Sequence, residues 1–325
     1  PNVMTLRDKQ AILALNDIDQ DPVFVNAVEN LFNRSQIPPA PKPWSEPRRV
    51  LTSSLGAHQG WVTLAMQDDE RCRDRGLVGV EVFYAGNFAP GGIDLSMMLR
   101  PFRCLLEEGY TIWYVMRKQG MPHGHSIADM ADDYAEFIDS ELGGKVDVAL
   151  GTSYGGMIGF YLAARHPDRF GHIVIAAAGY EVSERGKDID YTLATRLGEG
   201  RPVEAARGMF EDYFPQVRVP GVAWLFGQLM GRMTFRGGHA EFASDVMVEG
   251  EAEVAFDARP ILPQIDVPVL LIGGDADFMF PEGYLEETAR LIPDCTVRAY
   301  EGKDHVQAIS DERLCPDILE FIGKD

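Results

Sequence analysis

Ser153 stands in Gly151-Thr152-Ser153-Tyr154-Gly155-Gly156, at the end of the strand-like run Val146-Asp147-Val148-Ala149-Leu150 and just ahead of a helix-forming segment. A serine at the tip of a tight strand-to-helix turn has its hydroxyl pushed clear of the sheet, and its neighbours must be small so that backbone can pass close by; this is a nucleophile elbow. A hydroxyl attacks well only when a base removes its proton, and the base needs a group that fixes its tautomer and stabilises its charge. Two later stretches offer such groups. Gly273-Gly274-Asp275-Ala276-Asp277-Phe278-Met279-Phe280-Pro281 follows an apolar run and contributes Asp275 or Asp277, and Glu301-Gly302-Lys303-Asp304-His305 contributes His305. A lone glycine-flanked serine is usually an ordinary turn. Serine, then aspartate, then histidine, each just after a strand, is a far more specific pattern and the order that accompanies this elbow.

These groups need elements to carry them. Beta-rich runs read as strands at Arg49–Leu55, Trp61–Met66, Val78–Tyr84, Tyr110–Val115, Val146–Leu150, Ile173–Ala178, Val267–Ile272 and Thr296–Tyr300. Helical patterns alternate with them, among them Leu95–Glu108, the capping-box start Ser126 with Asp129, and the segments Tyr284–Leu291 and Asp317–Ile322. Such alternation implies a mostly parallel sheet of about eight strands with helices on both faces. Between Glu181 and Pro260 the strands stop, and amphipathic pieces near Ile189–Leu197, Val203–Phe214, Val222–Met233 and Phe242–Val248 read as an inserted helical cap over the carboxyl edge of the sheet. The expected organisation is an N-terminal helical extension and proline-rich linker at 1–46, a core at 47–180 and 261–325, and the cap at 181–260. The extension is expected to lie over the core, close a substrate entrance or make a contact in a homo-oligomer.

Composition narrows the function classes. A formal net charge of −20 argues against nucleic-acid or anionic-membrane partners, which require clustered Lys and Arg. No apolar run approaches a bilayer span, and the first residues lack the build of a signal peptide, so a cytoplasmic protein is expected. Cys72, Cys104, Cys295 and Cys315 are scattered without a Cys-x-x-Cys pair and read as buried reduced thiols. His123 and His125, in a polar loop without a partnering carboxylate–histidine pattern, read as solvated, and no metal is expected. His166, before Pro167, reads as an interaction at a helix C-terminus, Asp304 as solvent-facing, and His58, His172 and His239 carry no assigned role. Gly91-Gly92 and Gly155-Gly156 lack the lysine or spacing of a phosphate cradle.

From about Arg49 onward the chain resembles the α/β-hydrolase fold superfamily, most strongly at Gly151–Gly156, Gly274–Pro281 and Gly302–His305. The resemblance implies Ser153 as nucleophile, His305 as general base and acid, and Asp277 as the orienting carboxylate, since the family's Gly-x-x-Asp is met by Gly274-Asp275-Ala276-Asp277. It also implies an oxyanion hole of two backbone N–H groups, one from Tyr154 and the other by position from Asn87 with Gly86 supporting, although Ala85-Gly86-Asn87 stands where many members have His-Gly. Serine at the elbow counts against the dehalogenases and epoxide hydrolases of this fold, which generally carry aspartate there. The expected activity is therefore hydrolysis of a carboxylic ester or lactone through an acyl-enzyme, without a cofactor. The apolar and aromatic content of the cap suggests a small to medium, largely apolar substrate, with Met157, Phe210 and Trp224 as candidate contacts. Amide, peptide or carbon–carbon bond hydrolysis and acyl transfer remain open with the same triad, as does a ligand-binding protein whose triad is idle.

Overall fold

The computed structural model describes residues 50–53, 63–66, 76–80, 100–108, 110–115, 117–233 and 240–323. The expected N-terminal helices and linker, Gly86, Asn87, His58 and His239 lie outside these residues.

Among the described residues eight strands form one sheet: β1 (Val50–Ser53), β2 (Thr63–Met66), β3 (Gly76–Val80), β4 (Thr111–Val115), β5 (Val146–Thr152), β6 (Phe170–Ala176), β7 (Val269–Gly274) and β8 (Cys295–Tyr300). Their order is β1-β2-β4-β3-β5-β6-β7-β8. The pairings of β2 with β1 and β4 are antiparallel and the rest are parallel. The chain steps from β3 outward to β4, then crosses to β5 on the other side of β3 and continues outward from there. Between β3 and β5 the crossovers diverge, which opens a crevice at the carboxyl ends of the strands.

Burial on both faces explains the near-continuous apolar strands. Along β6 and β7, Ile173, Ile175, Val269 and Leu271 face one core layer, and Val174, Ala176, Leu270 and Ile272 face the other, as the two-residue period of a strand requires. The first layer is filled from α2 (Ile127–Glu141), α3 (Tyr154–Arg165) and α8 (Tyr284–Leu291), the second from α1 (Arg103–Glu107) and the last helix, α10 (Leu314–Ile322). Ser126 caps α2 through the expected capping box with Asp129. The last helix begins at Leu314, three residues ahead of the reading from sequence, because Leu314 and Cys315 are part of its buried stripe.

Among the described residues four α-helices intervene between β6 and β7: α4 (Glu184–Gly198), α5 (Pro202–Tyr213), α6 (Val222–Met233) and α7 (Phe242–Val254). One buried face of this insertion is acidic. Asp245, Glu249 and Glu253 recur at a four-residue spacing on α7 and are each only 2% exposed. Asp245 accepts hydrogen bonds from the Gly120 and Met121 amides at 2.9 and 2.8 Å, and Glu249 pairs with Arg117 at 2.7 Å. The loop after β4, which shows no period in sequence, is thus stitched to α7 by charge.

The cysteine reading needs correction at two of its four positions; Cys72 lies outside the described residues. Cys104 and Cys315 are joined in a disulfide that ties α1 to α10, with Cα atoms 6.1 Å apart and 211 residues between them in sequence. No local spacing announces a pair that distant. Cys295 is a free, half-buried thiol, pushed up to about 12 by burial and by Asp294.

Candidate active site

Ser153 follows β5 directly and precedes α3, with backbone angles φ 53° and ψ −118°. A side chain in that region carries strain of about 1–3 kcal/mol, which the surroundings must over-determine. They do so from both sides: the Ser153 amide donates to Ala176 O on β6 at 2.8 Å, and Ser153 O accepts from the Gly156 amide at 2.8 Å. A Cβ at Gly151 would fall on the Gly155 carbonyl, and one at Gly156 would come within 2.6 Å of Ala178 Cβ. The two glycines are therefore what lets the turn close.

The groups that meet Ser153 come from the ends of β7 and β8. Ser153 Oγ lies 2.9 Å from His305 Nε2, and His305 Nδ1 lies 2.7 Å from Asp277 Oδ2. Asp277 Oδ1 accepts in turn from the amides of Met279 at 2.8 Å and Phe280 at 3.2 Å. Asp277 and His305 are each 3% exposed, whereas Ser153 is half-buried and open to a reactant. Asp275, the rival acid, is exposed and accepts from the Gly302 amide at 2.6 Å, so it pins the turn that delivers His305. A Cβ at Gly274 would fall on Lys303 O, so this glycine lets the same turn pack against the end of β7. His305 opens the short helix α9 (His305–Ile309), which the sequence reading left out because five residues show no period. Its N-cap is Asp304, whose side chain accepts from the Gln307 amide; Asp304 therefore does local structural work and does not simply face solvent.

Burial, the largest influence, favours neutral His305, but the charge and hydrogen bond of Asp277, joined by Asp190 and Asp304, outweigh it and hold the imidazole above its ordinary pKa. Neutral His305 can accept the serine proton at Nε2 while Asp277 stabilises the cation that results. Tyr154 is the first residue of α3, so its N–H belongs to the helix's first turn, where amides point out of the helix end. Its hydroxyl donates to Glu249 O at 2.9 Å, and the Arg117 guanidinium lies over its ring at 4.4 Å.

The candidate substrate contacts fare unevenly. Met157, on α3, is buried in the first core layer, and Phe210 packs within the insertion against Phe214 and Phe226. Trp224 is 57% exposed, an exposure that a pocket wall does not have. His125 is not solvated but bonds Asp133 at 2.8 Å, and His166 sits at the C-cap of α3 with its ring on Asp132 at 2.6 Å and not on helix carbonyls. Among the described residues no cluster of His, Cys, Asp and Glu could hold a metal ion. No described helix is long and apolar enough to cross a membrane.

Sequence reasoning missed Asp190 here and read Tyr213 only as one of the aromatic residues of the cap. Asp190, on α4, is 5% exposed, and the Tyr213 hydroxyl donates to it at 3.4 Å. Tyr213 also meets the His305 ring edge-on, with centroids 6.2 Å apart. Only the phase of α4 reveals it: the buried stripe runs Gly186, Asp190, Leu193, Ala194, Leu197, which puts a carboxyl group where one is out of place.

Comparison with known proteins agrees with this fold. The model of the alpha/beta hydrolase family matches residues 88–315. A pimeloyl-[acyl-carrier protein] methyl ester esterase of Neisseria meningitidis is 28% identical over 191 residues, 57% of this chain and 69% of that protein. A 2-(acetamidomethylene)succinate hydrolase of Mesorhizobium japonicum is 24% identical over 260 residues, 77% of this chain and 90% of that one. Among solved structures, the enol-lactonase of Burkholderia xenovorans superposes with a TM-score of 0.61 at 19% identity, covering 82% of this chain and 98% of its own.

Proposed function

Because the chain belongs to the alpha/beta hydrolase family, we propose that this hydrolase cleaves a carboxylic ester or lactone through an acyl-enzyme on Ser153. The observation that carries the reading is the unbroken line from Ser153 Oγ through His305 to a fully bonded Asp277, with spacings of 2.9 and 2.7 Å. The esterase named among its relatives supports it.

In this reading His305 Nε2 takes the hydroxyl proton as Ser153 Oγ attacks the carbonyl carbon. The tetrahedral oxyanion is met by the Tyr154 N–H and by the Asn87 N–H proposed from sequence. His305 then gives its proton to the leaving alkoxide oxygen, which departs as the alcohol. Water attacks the acyl carbon while His305 takes one of its protons; the acid leaves, and that proton returns to Ser153 Oγ. No step requires a cofactor. The Cys104–Cys315 disulfide supports residence in a compartment that keeps thiols oxidised and works against the cytoplasmic expectation.

The test uses a fluorophosphonate probe and p-nitrophenyl butanoate. The wild type should be labelled at Ser153 and turn over the ester, and Ser153→Ala should lose labelling and about 10⁶-fold in kcat. Folded wild-type protein that takes up no probe, or a Ser153→Ala variant with full turnover, would sink the mechanism.

A further inference from the structure

Asp190 is a buried carboxyl group that this reaction scheme does not use. Its position relative to the triad is fixed. Ser183, the N-cap of α4, donates from its amide to Met279 O at 2.9 Å and from its hydroxyl to Phe278 O at 2.8 Å, which fastens the start of α4 to the residues just after Asp277. Asp190 follows just under two turns later, on the buried stripe. Its bonding is thin for a group only 5% exposed: among the described residues, its one side-chain hydrogen bond is the 3.4 Å contact from Tyr213, and no cation pairs with it. Buried carboxyl groups are normally well bonded or paired.

Tyr213 links this group to the chemistry. Its ring stands edge-on to Phe278 at 5.0 Å and to His305 at 6.2 Å, and its hydroxyl lies 3.8 Å from Met279 Sδ. The negative charge of Asp190 bears directly on the His305 imidazole. Since His305 hands its proton to the leaving oxygen, the part of an ester that passes this corner is the alcohol half. A carboxyl oxygen with spare acceptor capacity beside that path is satisfied by a donor on the leaving alcohol.

We propose that Asp190 and Tyr213 form a polar subsite for the alcohol half of the substrate, selecting esters whose leaving alcohol carries a hydroxyl donor. The inference rests on the ester-hydrolase reading and narrows it: the substrate is polar at its leaving end, unlike the largely apolar one that the aromatic content of the insertion suggested.

The experiment compares kcat/KM for 2-hydroxyethyl, 2-methoxyethyl and propyl butanoate. The methoxy ester keeps the oxygen and a similar leaving tendency but has no donor, and the propyl ester keeps only the shape. At pH 8, where Asp190 is ionised, wild type should favour the hydroxyethyl over the methoxyethyl ester by about 10–100-fold, the worth of one hydrogen bond to a charged acceptor. Asp190→Leu should bring that ratio close to one, and Asp190→Asn, which retains an acceptor oxygen, should keep part of it. Fluorophosphonate labelling of Ser153 does not depend on an alcohol half and reports whether each variant is folded. Should the leucine variant fail that check, Asp190→Asn and Tyr213→Phe carry the comparison, each with a reduced ratio expected. A wild-type ratio near one, or a ratio unchanged in the folded variants, would overturn the subsite while leaving the esterase standing. Failure of the wild type to cleave any of the three would remove the ester reading and the subsite with it.

Discussion

The carboxyl edge of the sheet and the helical insertion each bury an aspartate whose charge acts on His305, and the two are held in different ways. Asp277 accepts three hydrogen bonds of 2.7–3.2 Å, two of them from backbone amides of its own turn. Asp190 accepts one of 3.4 Å from a tyrosine side chain. The difference follows from where each sits. A turn after a strand has amides not committed to a ladder, and it can aim them at a side chain. A residue in mid-helix is surrounded by amides already bonded to carbonyls one turn back, so its carboxyl group depends on whatever neighbouring helices or a substrate bring. Strand ends can therefore hold a charge at fixed geometry for chemistry, and helices leave one available for recognition.

The comparison can be broken most severely at Asp277. Asp277→Asn is expected to lower kcat by about 10⁴-fold, since the amide cannot hold the imidazole in its working tautomer. Asp275→Asn, on an exposed residue that binds the Gly302 amide, should stay within a few-fold. Steady-state kinetics of the two variants side by side checks this, and equal losses would mean the acid has been misassigned.

A smaller effect is expected where the insertion is charged and well paired. Glu249→Ala removes one half of a buried ion pair with Arg117, at about 3–5 kcal/mol of unfolding free energy in urea titration. A loss below about 1 kcal/mol would show that the pair is not sealed from water.

The finest discrimination concerns Asp190 itself. Burial pushes its carboxyl group up to about 7, against an opposing pull from His305 and the Tyr213 hydrogen bond and a smaller push from Asp212. The folded protein thus holds this proton more tightly than the unfolded chain, and stability falls as pH rises from about 4, the ordinary aspartate value, toward 7. Asp190→Asn removes that liability. It should be more stable than wild type at pH 8, by at most about 4 kcal/mol, with the gain fading toward pH 4. Thermal unfolding at the two pH values measures it, and equal destabilisation at both would contradict the thin bonding described for this group.

Much of the sheet was legible because strands buried on both faces are written as apolar runs, as β5, β6 and β7 are, and because β8, at the sheet's edge, is still a run of β-forming residues. The serine, aspartate and histidine were legible because each lies within a few residues of such a run. What escaped was what depends on distant partners. Arg117 meets Glu249 across 132 residues, and Cys104 meets Cys315 across 211, with no local pattern to mark either. In α4 the helical period was visible but its phase was not: Ile189 was read as the start of the apolar face, whereas Asp190 occupies the buried stripe and Ile189 is only half-buried.

The Cys104–Cys315 bond gives the molecule a closed covalent circuit. Ser153, Asp277, His305 and the entire helical insertion lie on the chain between its two ends. A single backbone cut anywhere on that arc leaves one molecule, not two, with every group of the site still tethered to the others. A protease that clips the insertion would yield fragments that travel as one band until a reductant is added. A cut before Cys104 would release its piece regardless of reductant.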